Sequence, residues 1–118
     1  MLVILGKAGK SRILEREMKA YSKEKVLLID LVGVPALQSH TAWTTSVETY
    51  QDVIALLMEI EQNENFNEVE MIVLEFNAKI EVARYYLGWE KRLGKKFVIT
   101  IQDTEVDDLF VFEMTMPQ

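Results

Sequence analysis

Apolar positions along this chain follow two alternating rhythms: short unbroken runs, and longer stretches in which they recur every three or four residues. Unbroken runs suit strands buried on both faces, and recurrent stretches suit helices with one covered side. Leu2–Leu5 is the first run. From Ser11 to about Tyr21, Ile13, Leu14 and Met18 stand among Arg12, Glu15, Arg16, Glu17 and Lys19, which predicts a helix. Lys25 to Asp30 is a second strand ending on a carboxylate. Leu31 to Ser46 mixes glycine, proline and small polar residues without a period, so it is expected to be the longest loop. A helix capped by Ser46 or Thr45 then runs to about Asn63. Val53, Leu56, Leu57 and Ile60 share one side of it, and Glu48 and Asp52 stand at the end where the helix dipole favours acids. Asn63 to Asn67 is a turn. Val69 to Glu75 is a third strand, again closing on an acid. Ala78 or Lys79 to Leu93 is a helix with Ile80, Ala83, Leu87 and Leu93 near helical spacing, and Gly94 stands at its C-cap. Lys96 to Gln102 holds the strand Phe97–Ile101, and the last strand spans Leu109 to about Met116.

The order β-α-β-α-β-α-β-β predicts a three-layer α/β fold: about five strands, mostly parallel, with helices on both faces. One connection breaks the pattern. Asp103 to Asp108 is too short for a parallel crossover, which takes about a dozen residues or more. The final strand is therefore expected to run antiparallel at the sheet edge beside the first, its approach crossing the mouth of the turn after Leu5. Residues 1–118 read as one domain. Sheets of this kind bind ligands beyond the carboxyl ends of their parallel strands, and Gly6–Ser11, Asp30, Glu75 and Gln102 all stand at those ends.

The first of these carries the clearest chemistry. Gly6-Lys7-Ala8-Gly9-Lys10-Ser11 follows a buried strand and opens a helix, the setting in which backbone N–H groups converge on a phosphate. In that reading Gly6, Lys7, Gly9 and Lys10 cradle the phosphates, the Lys10 amine neutralises their oxygens and Ser11 ligates Mg²⁺. The full motif is G-x-x-x-x-G-K-[ST]. Here Ile4 stands where its first glycine belongs, so the loop is two residues tighter and offers fewer N–H groups. Glu75 is placed to hold Mg²⁺ or to activate a water, with Asp30 as a supporting carboxylate and Gln102 reaching toward a γ-phosphate. Each also has a plainer reading as a strand-end polar residue satisfying nearby backbone. ATP and Mg²⁺ are the cofactors of a live loop, and a lost one needs none.

Composition narrows the field. There are 19 Asp and Glu against 13 Lys and Arg, a net charge of −6 that disfavours direct DNA binding. Cysteine is absent, which removes disulfides and thiolate metal sites. With no basic-then-apolar leader and no long apolar run, the expectation is a cytoplasmic protein without a membrane segment. His40, the single histidine, lies in the polar loop and suits a surface role. Tyr85, Tyr86 and Trp89, on a helix with Arg84, Lys91 and Arg92, form a candidate face for a protein partner or for homo-oligomers. They subtend more than one helical face, so at least one must point outward.

Taken in series, these elements resemble the ATPase core of the FtsK/HerA superfamily, which includes conjugative coupling ATPases and Zot-like phage proteins. The residues that carry the resemblance are Leu2–Ser11, Val26–Asp30 with Val32-Gly33, Met71–Glu75 as the Walker B strand, and Ile99-Thr100-Ile101-Gln102-Asp103 as the sensor strand. The resemblance implies a P-loop NTPase-like sheet, ATP with Mg²⁺, and hexameric pumping assisted by an arginine finger. Several departures stand beside it: the shortened loop, one Walker B acid instead of two adjacent ones, no final crossover helix and no DNA-gripping insertion. Neither Arg84 nor Arg92 sits in an evident finger position. What is expected is a miniaturised relative of mobile-element origin, with residual nucleotide or phosphate binding and weak or no hydrolysis. The alternative is a catalytically dead adaptor that binds or regulates another protein such as a related ATPase.

Overall fold

The computed structural model describes residues 1–33, 35–41, 43–76, 79–102 and 108–116. Its sheet is built from β1 (Leu2–Leu5), β2 (Val26–Asp30), β3 (Trp43–Ser46), β4 (Met71–Glu75), β5 (Lys96–Ile101) and β6 (Phe110–Glu113). The strands lie in the order β3-β2-β4-β5-β1-β6. All neighbours are parallel except β6, which runs antiparallel to β1 as the short final connection requires. Residues 103–107 of that connection lie outside the described residues.

Helices α1 (Lys10–Lys19) and α2 (Pro35–Gln38) cover one face of the sheet, and α3 (Tyr50–Gln62) and α4 (Ile80–Leu93) cover the other. Because consecutive strand residues point to opposite faces, each apolar run feeds two cores. Ile4, Val26, Leu28, Val73 and Val98 pack with Leu14 and Met18 of α1 and Leu37 of α2. Val3, Leu27, Ile29, Ile72, Leu74, Phe97 and Ile99 pack with Val53, Leu57 and Ile60 of α3 and with Ala83, Tyr86 and Trp89 of α4. The chain thus forms three layers.

The sheet has six strands, where about five were expected. The additional one, β3, lies in the stretch expected to be a loop, together with the short α2. Trp43-Thr44-Thr45-Ser46 has no apolar run because it is an edge strand, paired among the described residues with β2 alone. Its conformation follows from β-branched and aromatic propensity, not burial. Using these residues in a strand also moves the start of α3. Thr49, not Ser46 or Thr45, is the cap: its Oγ1 accepts from the Asp52 N–H while Asp52 Oδ2 accepts from the Thr49 N–H, both at 3.2 Å. Such a reciprocal box contributes about 1 kcal/mol. At the far end of α4, Gly94 adopts φ 66° and its N–H reaches Glu90 O at 3.0 Å, as expected of the C-cap glycine.

One consequence of the strand order positions the site. The chain leaves β2 toward α2 on one face and β4 toward α4 on the other, so the connections after these adjacent strands diverge. A crevice opens at such a switch point. Asp30 and Glu75, the last residues of β2 and β4, stand in register across it.

Candidate functional site

β1 ends in a tight turn. Gly6 has φ 152° and Gly9 φ 85°, backbone that side chains rarely adopt, and Gly9 is the N-cap of α1. This folds the chain back sharply enough for α1 to begin at Lys10, one residue earlier than its pattern predicts. Lys10 is buried, and its ammonium donates to the Gly6 carbonyl at 2.6 Å. The loop is closed on its own lysine. Ser11 and Lys7 are exposed.

The two strand-end acids differ in their partners. Asp30 is buried and its Oδ1 accepts from the N–H groups of Val32 at 2.9 Å and Gly33 at 2.6 Å, a turn closed by the side chain. Its plainer reading as a loop-starting residue therefore holds structurally, and Gly33, at φ 83°, completes the turn. Glu75 is only 4% exposed. Its Oε1 accepts from the Thr100 hydroxyl at 2.7 Å, while Oε2 is buried with no hydrogen-bond partner among the described residues. Burial pushes its pKa up; the Thr100 hydrogen bond opposes this, the charge of nearby Asp30 adds to it, and Lys10 opposes it. Lys10, Asp30, Glu75 and Thr100 thus form one electrostatic cluster at the carboxyl end of the sheet.

Thr100 has no role in the sequence reading beyond its place in a strand. Its signal is a hydroxyl inside the apolar run Phe97–Ile101, in register with Glu75. It also accepts from the Phe76 N–H at 3.2 Å and so ties β5 to the end of β4. Gln102, one residue past β5, is exposed. β5 does lie between β1 and β4, which places Gln102 at the end of the strand separating the lysine-bearing loop from Glu75.

The raised pKa of Glu75 has a measurable consequence. A carboxyl whose folded pKa exceeds its ordinary value near 4.5 binds its proton more tightly in the folded state, so its contribution to stability is fully present below the unfolded pKa and is lost as pH rises through the folded one. Glu75→Gln keeps an acceptor for Thr100 and removes the titration. In urea unfolding, the stability of Glu75→Gln relative to the unmodified protein is expected to improve as pH rises from about 4 to about 8. A variant that loses ground with rising pH would show that the ionised carboxylate is the stabilised form.

Leu109, expected only as the first residue of the last strand, is the second residue to which the sequence assigns no role at the site. A methyl group placed on Gly6 would lie 3.1 Å from the Asp108 carbonyl oxygen, 3.3 Å from Leu109 Cα and 3.4 Å from its Cδ1. One placed on Gly9 would lie 3.8 Å from Leu109 Cδ2. The Leu109 side chain therefore rests over the turn between the two glycines. Of the connection expected to cross the loop mouth, Asp108 lies against the turn, as does Leu109 just after it, while residues 103–107 lie outside the described residues.

Of the two residues expected to hold Mg²⁺, Ser11 is exposed at the start of α1, whereas Glu75 is buried with its Oε2 lacking a hydrogen-bond partner, and both would offer oxygen to a hard cation. Among the described residues no three His, Cys, Asp or Glu side chains converge as a metal site. The aromatic helix divides. Tyr86 and Trp89 are core residues, while Tyr85 is 54% exposed. Tyr85 lines an open apolar cleft with Tyr50, Ile54 and Val82. Arg92 lies 4.5 Å over the Trp89 ring and holds Glu61 with both arms of its guanidinium, so its charge is already matched. His40 pairs with Glu15 at 3.3 Å on the surface. No helix among the described residues is long and apolar enough to cross a membrane. No family model, curated protein or solved structure matches this chain.

Proposed function

We propose that this chain is a P-loop-like domain that binds the phosphate groups of a nucleotide weakly through Lys10 and the Gly6–Ser11 turn, with little or no hydrolysis. The observation that carries the reading is the cluster itself: Lys10 at the start of α1 beside two strand-end carboxyls, with β5 and Gln102 between them. An incoming phosphate would take the Lys10 ammonium from the Gly6 carbonyl, exchanging a neutral acceptor for a charged one. Mg²⁺, held by Ser11 and Glu75, would supply charge neutralisation at the phosphate oxygens.

Three features support weak turnover. Burial raises the pKa of Glu75, which makes its carboxylate a poorer cation ligand and proton acceptor. The turn is closed by Lys10 and covered by Leu109. Only one acid stands at the Walker B position, since its neighbours are Leu74 and Phe76. Phosphoryl transfer needs a metal, a lysine and a positioned water together.

Calorimetric titration with MgATP and with pyrophosphate tests the reading. Leu109→Ala is expected to bind about five- to tenfold more tightly than the unmodified protein, since the anion no longer has to displace an apolar side chain worth roughly 1 kcal/mol in that contact. Silence of both proteins up to millimolar ligand would leave the adaptor role as the surviving one. The covered turn is the observation that favours that second reading.

A further inference from the structure

We infer that β6 is a self-recognition edge, and that two copies of this chain pair antiparallel through it about a dyad at Val111. The inference is independent of phosphate binding. Among the described residues no strand lies beyond β6, so on one side its backbone has no strand partner among them. Which residues open outward follows from the β1 ladder. The Met114 N–H donates to Met1 O at 2.8 Å and the Met1 nitrogen donates to Met114 O at 3.1 Å, a closely spaced pair. Such pairs alternate with widely spaced ones along an antiparallel ladder. With Val3 opposite Phe112 and Leu5 opposite Phe110, those two phenylalanines turn their N–H and C=O groups toward β1. Leu109, Val111 and Glu113 turn theirs away from the sheet.

A second β6 satisfies these groups only in a register that sets outward residues against outward residues. A dyad at Val111 does so: Val111 meets Val111 of the second copy, and Leu109 meets Glu113 in both directions. Each of these pairs exchanges two backbone hydrogen bonds. The side chains agree with the register. Phe110 falls opposite Phe112 on the face where Phe112 and Met114 already pack on the core, and an aromatic cross-strand pair is favourable. The acids do not meet, because Asp108 falls opposite Met114 and Glu113 opposite Leu109. Phe110 is 51% exposed, Val111 44% and Leu109 39%, and no charge interrupts Leu109–Phe112. That is an edge without the lysine, proline or bulge that usually blocks pairing. Pairing about a dyad closes after two copies and covers the edge completely.

Two variants test this in the full chain. Val111→Pro removes a donor that points outward, so the ladder to β1 is kept, as proline on an edge strand allows. Sedimentation equilibrium is expected to show a concentration-dependent dimer for the unmodified protein and a monomer for Val111→Pro, with the same far-ultraviolet circular dichroism. The natural chain has no cysteine, so Val111→Cys introduces a single thiol directly opposite its own copy, within disulfide reach. It is expected to form a disulfide dimer on mild oxidation. Phe110→Cys, offset from its own copy by two residues, is expected not to. A protein that stays monomeric at millimolar concentration, or crosslinks equal at positions 110 and 111, would overturn the inference.

Discussion

Gly6→Ala is expected to lower folding stability by about 2–5 kcal/mol, a large share of the roughly 5–15 kcal/mol typical of a domain. Two costs combine at this position. The first is backbone: at φ 152° a side chain is strained whatever space surrounds it. The second is steric, because the new methyl would sit 3.1 Å from the Asp108 carbonyl oxygen and 3.3 Å from Leu109 Cα. These neighbours are backbone and cannot rotate away, so relief requires β6 to shift from β1. Gly9→Ala separates the terms. Its φ of 85° carries strain alone, since its nearest contact is the flexible Leu109 Cδ2 at 3.8 Å, and about 1–2 kcal/mol is expected. Urea denaturation of both variants makes the comparison. If Gly6→Ala costs no more than Gly9→Ala, then Asp108 and Leu109 do not press on the turn, and Leu109 is not what limits access to it.

The contrast between these glycines shows what the sequence carried and what it did not. The turn itself was legible, because Leu2–Leu5 breaking into Gly-x-x-Gly-Lys-Ser has few structural solutions. So were β2, β4 and β5, whose aliphatic runs are buried on both faces, and the antiparallel course of β6, which follows from a connection too short to cross over. β3 was hidden because an edge strand with an exposed face needs no apolar run; Thr44 and Thr45 read equally well as loop. Of the site, the acids at the ends of β2 and β4 could be placed on one edge from sequence alone, but not their states. Asp30 is committed to the Val32 and Gly33 amides, and Glu75 is held by a threonine that is distant in sequence and adjacent only through sheet register. Leu109 was out of reach for the same reason: its contact with the turn depends on where the antiparallel pairing of β6 and β1 continues past Leu5. On α4, helical spacing correctly required one aromatic to face outward, but only packing against Phe76 shows that Tyr86 is buried and Tyr85 is not.

Lys10→Ala is expected to weaken binding of MgATP or pyrophosphate by about 10- to 100-fold and to cost about 2 kcal/mol of stability. The binding loss is that of a charge-assisted contact to phosphate, which the N–H groups of a shortened turn cannot replace. The stability loss has a separate origin. Without the ammonium, the Gly6 carbonyl loses its 2.6 Å donor, and the buried Asp30–Glu75 pair loses a cation that opposes the raised pKa of Glu75. Protonation of Glu75 should therefore persist to still higher pH in Lys10→Ala, and Glu75→Gln in that background should recover part of the lost stability. This coupling distinguishes a lysine integral to the acid cluster from one that merely neutralises a turn. A double-mutant cycle between Lys10→Ala and Glu75→Gln, followed by urea unfolding at neutral pH, measures it. Strict additivity would separate Lys10 from Glu75. Undiminished MgATP binding by Lys10→Ala would move any nucleotide site away from this turn, and with it the phosphate-binding reading of the chain.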